Sequence, residues 1–257
     1  MHELPLVFFT VFTQSAVGAF IILQISGALG HINERRKAIG LFVMVCFFGL
    51  GAVIGIFHIG QPLRAINMLF RVGLSPMSNE IILSAVFGAL GGVSALGLLL
   101  KRNAKVTYNT IAWLSAAVGL IFLFAIPQVY QLPTVVTWSS SYTTVIMMLT
   151  PLIGGGTLAA LFGAHRLGLL VSIMAILVSF SIRPGYLSML MDANVALTTA
   201  QNSCFIVQSA LLAAGVAAAI GYILLKSEKI IFMVAAVVLM AELVGRIAFY
   251  NLWSLPM

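Results

Sequence analysis

Long apolar runs recur along the whole chain and decide what it can fold into. Each run holds about 20 residues, enough for a helix to cross the roughly 30 Å hydrocarbon core of a bilayer. The runs span residues 6–29, 38–59, 80–100, 106–126, 142–162, 167–182, 203–225 and 230–250. Lipid offers no partner to free backbone groups, and the strict alternation of a membrane β-barrel is absent, so the runs predict helices.

The composition agrees with this prediction. Hydrophobic residues make up 61% of the 257 and charged residues only 7%, whereas a soluble domain carries about 25% charged residues. We therefore expect an all-α integral membrane protein with eight transmembrane helices, forming one membrane domain over residues 1–257 and packed as two adjacent four-helix bundles. The first five residues lack the basic segment of a signal peptide, so we expect the first run to be retained.

Lysine and arginine are unevenly distributed between the two sets of connections. The connections after the first, third, fifth and seventh helices carry Arg35, Arg36, Lys37, Lys101, Arg102, Lys105, Arg166, Lys226 and Lys229. Because positive residues concentrate on the cytoplasmic side, we expect both termini to lie outside. The net charge of +7 then reflects membrane orientation rather than a nucleic-acid surface, since the positive residues are split among short loops.

The connections on the opposite side are longer and contain many apolar and aromatic residues. They cover roughly residues 60–79, 127–141 and 183–202. Long loops in a compact protein are usually functional or disordered, and these are too apolar to be solvated tails. We interpret them as a docking surface for a partner outside the membrane. The alternative is a set of lids that only cover the helix ends.

The densest polar chemistry lies where the second apolar run gives way to the third. This segment contains His58, Arg64, Asn67, Arg71, Ser78, Asn79 and Glu80. Ionisable groups at membrane depth are costly, so such a cluster is a functional hypothesis by default. His58 and Glu80 are two bases at one membrane edge, which suits the removal of two protons from a membrane-soluble quinol. Alternatively, these groups only anchor helix ends among the lipid headgroups.

Other residues of this segment have supporting roles in the quinol hypothesis. Arg64 is expected to hold a quinone oxygen or to keep Glu80 partly ionised. Asn67, Arg71 and Asn79 are weaker candidates for contact with the quinone. Together with His58 and Glu80 they form the predicted binding site.

A second polar pair lies inside the last apolar run. Glu242 and Arg246 are four residues apart, so they share a helix face and can form an ion pair. A pair at this depth must face protein or a water-filled cavity. We interpret it as a structural ion pair that locks the bundle, and the alternative is a direct role in proton or quinone chemistry.

The sequence predicts no metal or haem centre in this protein. Cys46 and Cys204 stand alone, so no CxxC motif, zinc site or iron–sulfur ligand set is present. Only His58 among the four histidines lies at a helix end with other polar groups, and the histidine pair expected for a buried haem is missing. The glycine runs at 91–92 and 154–156 lie in apolar helices and predict close helix packing rather than phosphate binding.

Three segments resemble the membrane-anchor subunit of bacterial dimethyl sulfoxide (DMSO) reductase. The opening residues 2–14, HELPLVFFTVFTQ, are similar to the start of that family. Residues 58–80 match its pattern H-x-G-x-P-x-R-A-x-N-x-L-x-R-V-G-x-S-x-x-S-N-E, and residues 241–246 resemble its last helix. The likeness spans nearly the whole sequence.

The resemblance implies an anchor subunit that oxidises menaquinol near the periplasmic face of the bacterial inner membrane. It implies two partners on that face, an iron–sulfur subunit and a molybdopterin catalytic subunit, with the clusters and the molybdopterin held by the partners. It also assigns the quinol site to His58 and Glu80, and places Arg64 on an arginine of the same motif. Menaquinol is then a diffusible substrate.

Several alternatives remain open. The protein can instead be the quinol-linked membrane subunit of a polysulfide or nitrite reductase type complex. A proton-coupled secondary transporter would use Glu80, Glu242 and Arg246 as a proton pathway, although inverted repeats are not evident. A purely structural anchor would tolerate the loss of His58 and Glu80. The family leaves the terminal acceptor open between DMSO, other S- or N-oxides and selenate.

Overall fold

The computed structural model describes residues 3–56, 70–100 and 104–253. Within these ranges the protein forms eight α-helices: α1 (Leu4–Ala28), α2 (Glu34–Ile56), α3 (Pro76–Leu100), α4 (Lys105–Tyr130), α5 (Ser141–Leu161), α6 (His165–Ala193), α7 (Val195–Leu225) and α8 (Glu228–Asn251). Each is long and apolar enough to span a membrane. The expected all-α fold with eight membrane helices is confirmed.

The sixth and seventh helices are longer than the sequence predicts. α6 continues through Pro184 to Ala193, and α7 begins at Val195. The long connection expected at 183–202 is therefore wrong, and Asn194 alone joins the helices. Proline removes one helical hydrogen bond but does not prevent the helix from continuing. Asn194 caps α7 by accepting a hydrogen bond from the Leu197 amide (3.0 Å), which starts a new helix at once.

The helices pack as two adjacent four-helix groups, as expected. In the first group α1 contacts α2 and α4, and α3 packs against α2 and α4. In the second group α5 contacts α6 and α8, and α7 packs against α6 and α8. α1 and α5 are the most deeply buried helices and pack directly against each other. This α1–α5 contact joins the two groups.

Small residues permit the close approach of α1 to α5. A Cβ atom at Gly18 would overlap the backbone carbonyl of Pro151, and one at Gly155 would overlap the backbone of Gly18. Without a hydrophobic driving force between helices in lipid, such tight van der Waals contact stabilises their association. The prediction that the 154–156 glycine run serves helix packing is confirmed.

Contacts between distant helices define the two ends of the bundle. At one end, which we call the Glu80 end, α1 begins, α8 ends and α3 begins, and Tyr250 lies beside Thr10. At the other, which we call the basic end, Lys37 of α2 donates a hydrogen bond to Asn109 of α4 (3.2 Å). The basic end carries the described Lys and Arg residues at or near the starts of α2, α4, α6 and α8.

Candidate functional site

Glu80 lies in the second turn of α3 with its side chain withdrawn from the surface. The residue is only 6% exposed, and one carboxyl oxygen, Oε1, has no hydrogen-bond partner among the described residues. A buried polar atom without a partner costs free energy, and buried polar groups are almost always satisfied by protein, water or a ligand. The unpaired oxygen therefore calls for a partner beyond the described residues, and a bound ligand is one such partner.

A pair of tyrosine hydroxyls lies within electrostatic range of Glu80. Tyr250 of α8 donates a hydrogen bond to the hydroxyl of Tyr130 at the end of α4 (2.7 Å), and it lies 3.5 Å from the Thr10 hydroxyl of α1. The Glu80 carboxylate interacts electrostatically with both tyrosines. Three helices thus bring polar side chains together near the buried carboxylate of a fourth, α3.

The connection between α4 and α5 holds the end of α8 in place. Thr137 donates to the Leu252 carbonyl (2.7 Å) and the Trp138 indole donates to the Phe249 carbonyl (2.9 Å). The Trp138 ring stacks on the Phe249 ring with centroids 5.2 Å apart. Because Tyr250 follows Phe249, this clamp positions the tyrosine pair.

Glu242 and Arg246 are both buried in α8, but they do not form a direct ion pair. Among the described residues, the only ion pair with an N–O distance under 4 Å joins Lys37 to Glu34. Arg246 Nη2 instead donates to Gln14 Oε1 of α1 (2.8 Å) and to Thr150 Oγ1 of α5 (2.9 Å). Glu242 interacts electrostatically with Arg246 and lies near Thr150.

Two buried hydrogen-bond donors near Thr150 have no acceptor among the described residues. Arg246 Nη1 and Gln14 Nε2 have no hydrogen-bond partner in the described part of the protein, although both residues are buried. Unsatisfied donors of this kind mark positions for ordered water. The positive charge of Arg246 also acts on Tyr130 and Tyr250. The tyrosine pair thus interacts electrostatically with both the Glu80 carboxyl and the Arg246 guanidinium.

A small cavity lies on the other side of Glu242, between the helices of the second group. Its volume is about 20 Å³, room for one water molecule. Arg183 lines it and donates to Gln208 Oε1 (2.7 Å), while its guanidinium lies 5.4 Å from the centre of the Phe205 ring. Glu242 interacts electrostatically with Arg183. The buried Glu242 carboxyl therefore interacts electrostatically with two arginines, Arg246 and Arg183.

Comparison with known proteins decides the family. Residues 1–252 match the family described as DMSO reductase anchor subunit (DmsC). The protein belongs to this family. It is 38% identical over 161 residues to "Anaerobic dimethyl sulfoxide reductase chain YnfH" of Escherichia coli (strain K12), covering 62% of this protein and 57% of that relative. The resemblance seen in the sequence is confirmed.

Two further relatives also have names that make them part of an anaerobic dimethyl sulfoxide reductase. The anchor subunit is 37% identical over 162 residues to the relative from Haemophilus influenzae, covering 62% of this protein and 58% of that relative. It is 34% identical over 210 residues to a second relative from Escherichia coli (strain K12), covering 76% of this protein and 70% of that relative. The match thus spans little more than half the length of the first two relatives.

Of the residues predicted to form the quinol site of the anchor subunit, the structure describes three. His58, Arg64 and Asn67 lie outside the described residues. Arg71 is exposed in the turn before α3. Asn79 accepts a hydrogen bond from the Gly73 amide (2.6 Å) and so closes that turn. Among the described members of the predicted site, only Glu80 faces the buried polar cluster.

Sequence reasoning missed the residues that surround Glu80 and Glu242 in the anchor subunit. These are Thr10, Gln14, Tyr130, Thr150, Gln208 and Tyr250. A usable signal existed for Gln14 and Gln208, because an amide inside an apolar membrane helix needs a partner. No comparable signal existed for Tyr130 and Tyr250, since tyrosines near helix ends are common at membrane interfaces.

Proposed function

We propose that this protein is the membrane anchor and quinol-oxidising subunit of a DMSO reductase type complex. In this proposal it binds menaquinol at the Glu80 end and passes electrons to an iron–sulfur partner subunit. The protons leave on the same side of the membrane. The observation that carries the proposal is the buried Glu80 carboxyl with its unpaired Oε1. Family membership over residues 1–252 supports the same function.

A quinol fits the chemistry at Glu80. A quinol hydroxyl would donate its hydrogen bond to Oε1, which satisfies the buried acceptor, and would lose its proton to the carboxylate as electrons depart. Oxidation of one menaquinol releases two protons and two electrons. The second proton is assigned to His58, which lies outside the described residues, and both electrons go to the iron–sulfur partner. The isoprenoid tail of the quinol remains in the lipid beside α3.

The tyrosine pair has a positioning role in this proposal. The negative charge of Glu80 and the positive charge of Arg246 both act on the Tyr130 and Tyr250 hydroxyls. Their mutual hydrogen bond and the Trp138 clamp hold them in one orientation. A preorganised polar wall of this kind stabilises charge that develops when a neighbouring proton moves.

The Glu80 end also offers the surface for the proposed partners. Phe70 and Leu74 are 82% and 86% exposed, and Val136 and Trp253 are also exposed there. Apolar groups at a membrane edge suit contact with another protein. We assign this surface to the iron–sulfur subunit, with the molybdopterin catalytic subunit beyond it. The Lys and Arg residues at the basic end support a periplasmic position for the Glu80 end in a bacterial inner membrane.

The test compares two electron donors in the assembled complex. With a reduced menaquinol analogue as donor, Glu80→Gln is expected to lower turnover by about 10²-fold or more, because the proton acceptor is lost. With a reduced viologen that donates directly to the partner subunits, turnover is expected to stay at the wild-type level. Glu80→Asp tests whether a shorter carboxylate restores part of the quinol-driven rate.

The matched control removes a carboxylate at the opposite end. Glu228 is exposed at the start of α8, at the basic end. Glu228→Gln is expected to leave both rates unchanged. Wild-type quinol turnover in Glu80→Gln would refute the proposed role of Glu80, whereas equal loss with both donors would indicate failed assembly of the complex.

A further inference from the structure

A groove at the basic end combines positive charge with apolar walls. It lies between the start of α2 and the junction of α3 with α4, and its volume is about 570 Å³. Arg35 and Lys105 line it together with Ile39, Leu98 and Leu99. We call it the basic groove. Because it lies where three membrane helices begin or end, it is at the level of the lipid headgroups.

A second cavity adjoins the basic groove and reaches toward α1. Its volume is about 210 Å³, and it shares Glu34 and Lys105 with the groove. Lys37, which is only 4% exposed, lines it and donates to Glu34 (3.0 Å) and to Asn109 (3.2 Å). A buried ammonium group is costly unless it is paired. The Lys37 charge is therefore already neutralised by Glu34.

Gly27 makes room for the Lys37 side chain. A Cβ atom at Gly27 would overlap Cδ of Lys37, so the aliphatic part of the lysine lies directly against α1. This contact fixes Lys37 and, through the ion pair, Glu34. Lys37 and Glu34 thus form an ordered polar surface in the second cavity.

Two cations at the basic groove remain without an acidic partner. Glu34 is occupied by Lys37, and that is the only ion pair under 4 Å within residues 3–56, 70–100 and 104–253. Arg35 and Lys105 are exposed. The balance of the lining is therefore positive, which favours an anionic ligand.

One buried hydrogen-bond acceptor limits which headgroups fit the second cavity. Gln24 lines the second cavity and is only 1% exposed. Its Oε1 has no hydrogen-bond partner among the described residues, while its Nε2 lies 3.4 Å from Asn109 Oδ1. An unpaired acceptor needs a donor, which a bare phosphate diester does not supply. A hydroxyl group of a glycerol headgroup supplies such a donor. It also brings no positive charge close to Lys37.

We propose that the basic groove and the adjoining cavity bind an anionic glycerophospholipid of the phosphatidylglycerol type. The phosphate contacts Arg35 and Lys105, and a headgroup hydroxyl donates to Gln24 Oε1. The acyl chains run along Ile39, Leu98 and Leu99. This site is independent of the quinol chemistry proposed for the Glu80 end.

The test measures the thermal unfolding of the full-length protein in detergent with added lipid. Phosphatidylglycerol is expected to raise the midpoint of the wild-type protein, because a ligand that binds the folded state stabilises it. Phosphatidylcholine and inorganic phosphate are expected to produce little shift. In Arg35→Gln/Lys105→Gln the phosphatidylglycerol shift should fall below about half of the wild-type value.

A matched double variant removes two charges elsewhere on the basic end. Arg166 and Lys229 are exposed and do not line the basic groove. Arg166→Gln/Lys229→Gln should retain the full phosphatidylglycerol shift. Equal losses in the two double variants would overturn the proposal, and a full shift with inorganic phosphate would replace the lipid by a free anion.

A second measurement uses the wild-type protein and so does not depend on the folding of a variant. Phosphatidylglycerol with a photoreactive acyl group is incorporated into vesicles that hold the protein, and the crosslinked peptides are identified. Labelling concentrated on peptides that contain Ile39, Leu98 and Leu99 supports the site. Labelling spread evenly over the eight helices contradicts it.

Discussion

The hydroxyl groups of Tyr130 and Tyr250 lie 2.7 Å apart and join the end of α4 to the end of α8. Both residues are buried, and both interact electrostatically with Glu80. This contact crosses between the two four-helix groups, since α4 belongs to the first and α8 to the second. It therefore links the packing of the whole bundle to the environment of one carboxylate.

Loss of both tyrosine hydroxyls is expected to cost less than the sum of the two single losses. Tyr250→Phe or Tyr130→Phe leaves the other hydroxyl buried without its partner, at a cost of about 1–3 kcal/mol. The double variant removes donor and acceptor together, so its loss should be clearly less than the sum of the single losses. The measurement is the free energy of unfolding in detergent. Additive losses of unfolding free energy would contradict a direct contact between the two hydroxyls. Tyr108→Phe, at the basic end of α4, is the control.

Arg246 is expected to be a major stabilising residue. Arg246→Met leaves Gln14 without its donor and removes a cation near Glu242, and breaking a buried charge network typically costs about 3–5 kcal/mol. Arg246→Lys should recover only part of this, because the lysine side chain ends short of the position of Nη2, which donates to both acceptors. The yield and unfolding free energy of the purified protein are measured. The exposed Arg166→Met should change the unfolding free energy by less than about 0.5 kcal/mol.

The α1–α5 contact can be tested with a pair of glycine substitutions. Gly18→Ala places a methyl group against the Pro151 carbonyl, so the two helices must separate, at a cost of about 1–3 kcal/mol. Gly49 of α2 has open space around its Cα atom, and Gly49→Ala should be neutral or stabilise the helix by up to about 1 kcal/mol. Both variants are compared by thermal unfolding. Equal effects would show that α1 and α5 do not pack this closely.

Asn79 is expected to be structural rather than a quinol contact. Its Oδ1 accepts the Gly73 amide proton, so Asn79→Ala should lower stability by about 0.5–1.5 kcal/mol. Asn79→Asp retains an acceptor and should resemble the wild type. Quinol-driven turnover is expected to have an unchanged KM in both variants. A large rise in KM in both variants would indicate that Asn79 contacts the quinol.

Membrane helices were predictable from the sequence because the length of an apolar run is a local property that needs no tertiary contact. The runs at 106–126 and 230–250 correspond closely to α4 and α8. The sequence predicts that the sixth helix ends at 182, too early, because the Arg183-Pro184 pair that follows is typical of a helix end. In the structure the Arg183 guanidinium is held by Gln208 and lies near the Phe205 ring, so the charge is accommodated and α6 continues.

The sequence by itself determined the fold class, the number of helices and the family, and it singled out Glu80 as a candidate, because apolar length, charge placement and motifs are local properties. Only the tertiary structure decided what surrounds Glu80. Thr10, Tyr130 and Tyr250 are far apart in the sequence, and helix packing alone brings their hydroxyls together. The same holds for Arg246, which contacts Gln14 and Thr150 instead of its helical neighbour Glu242, because the nearest free acceptors lie on α1 and α5.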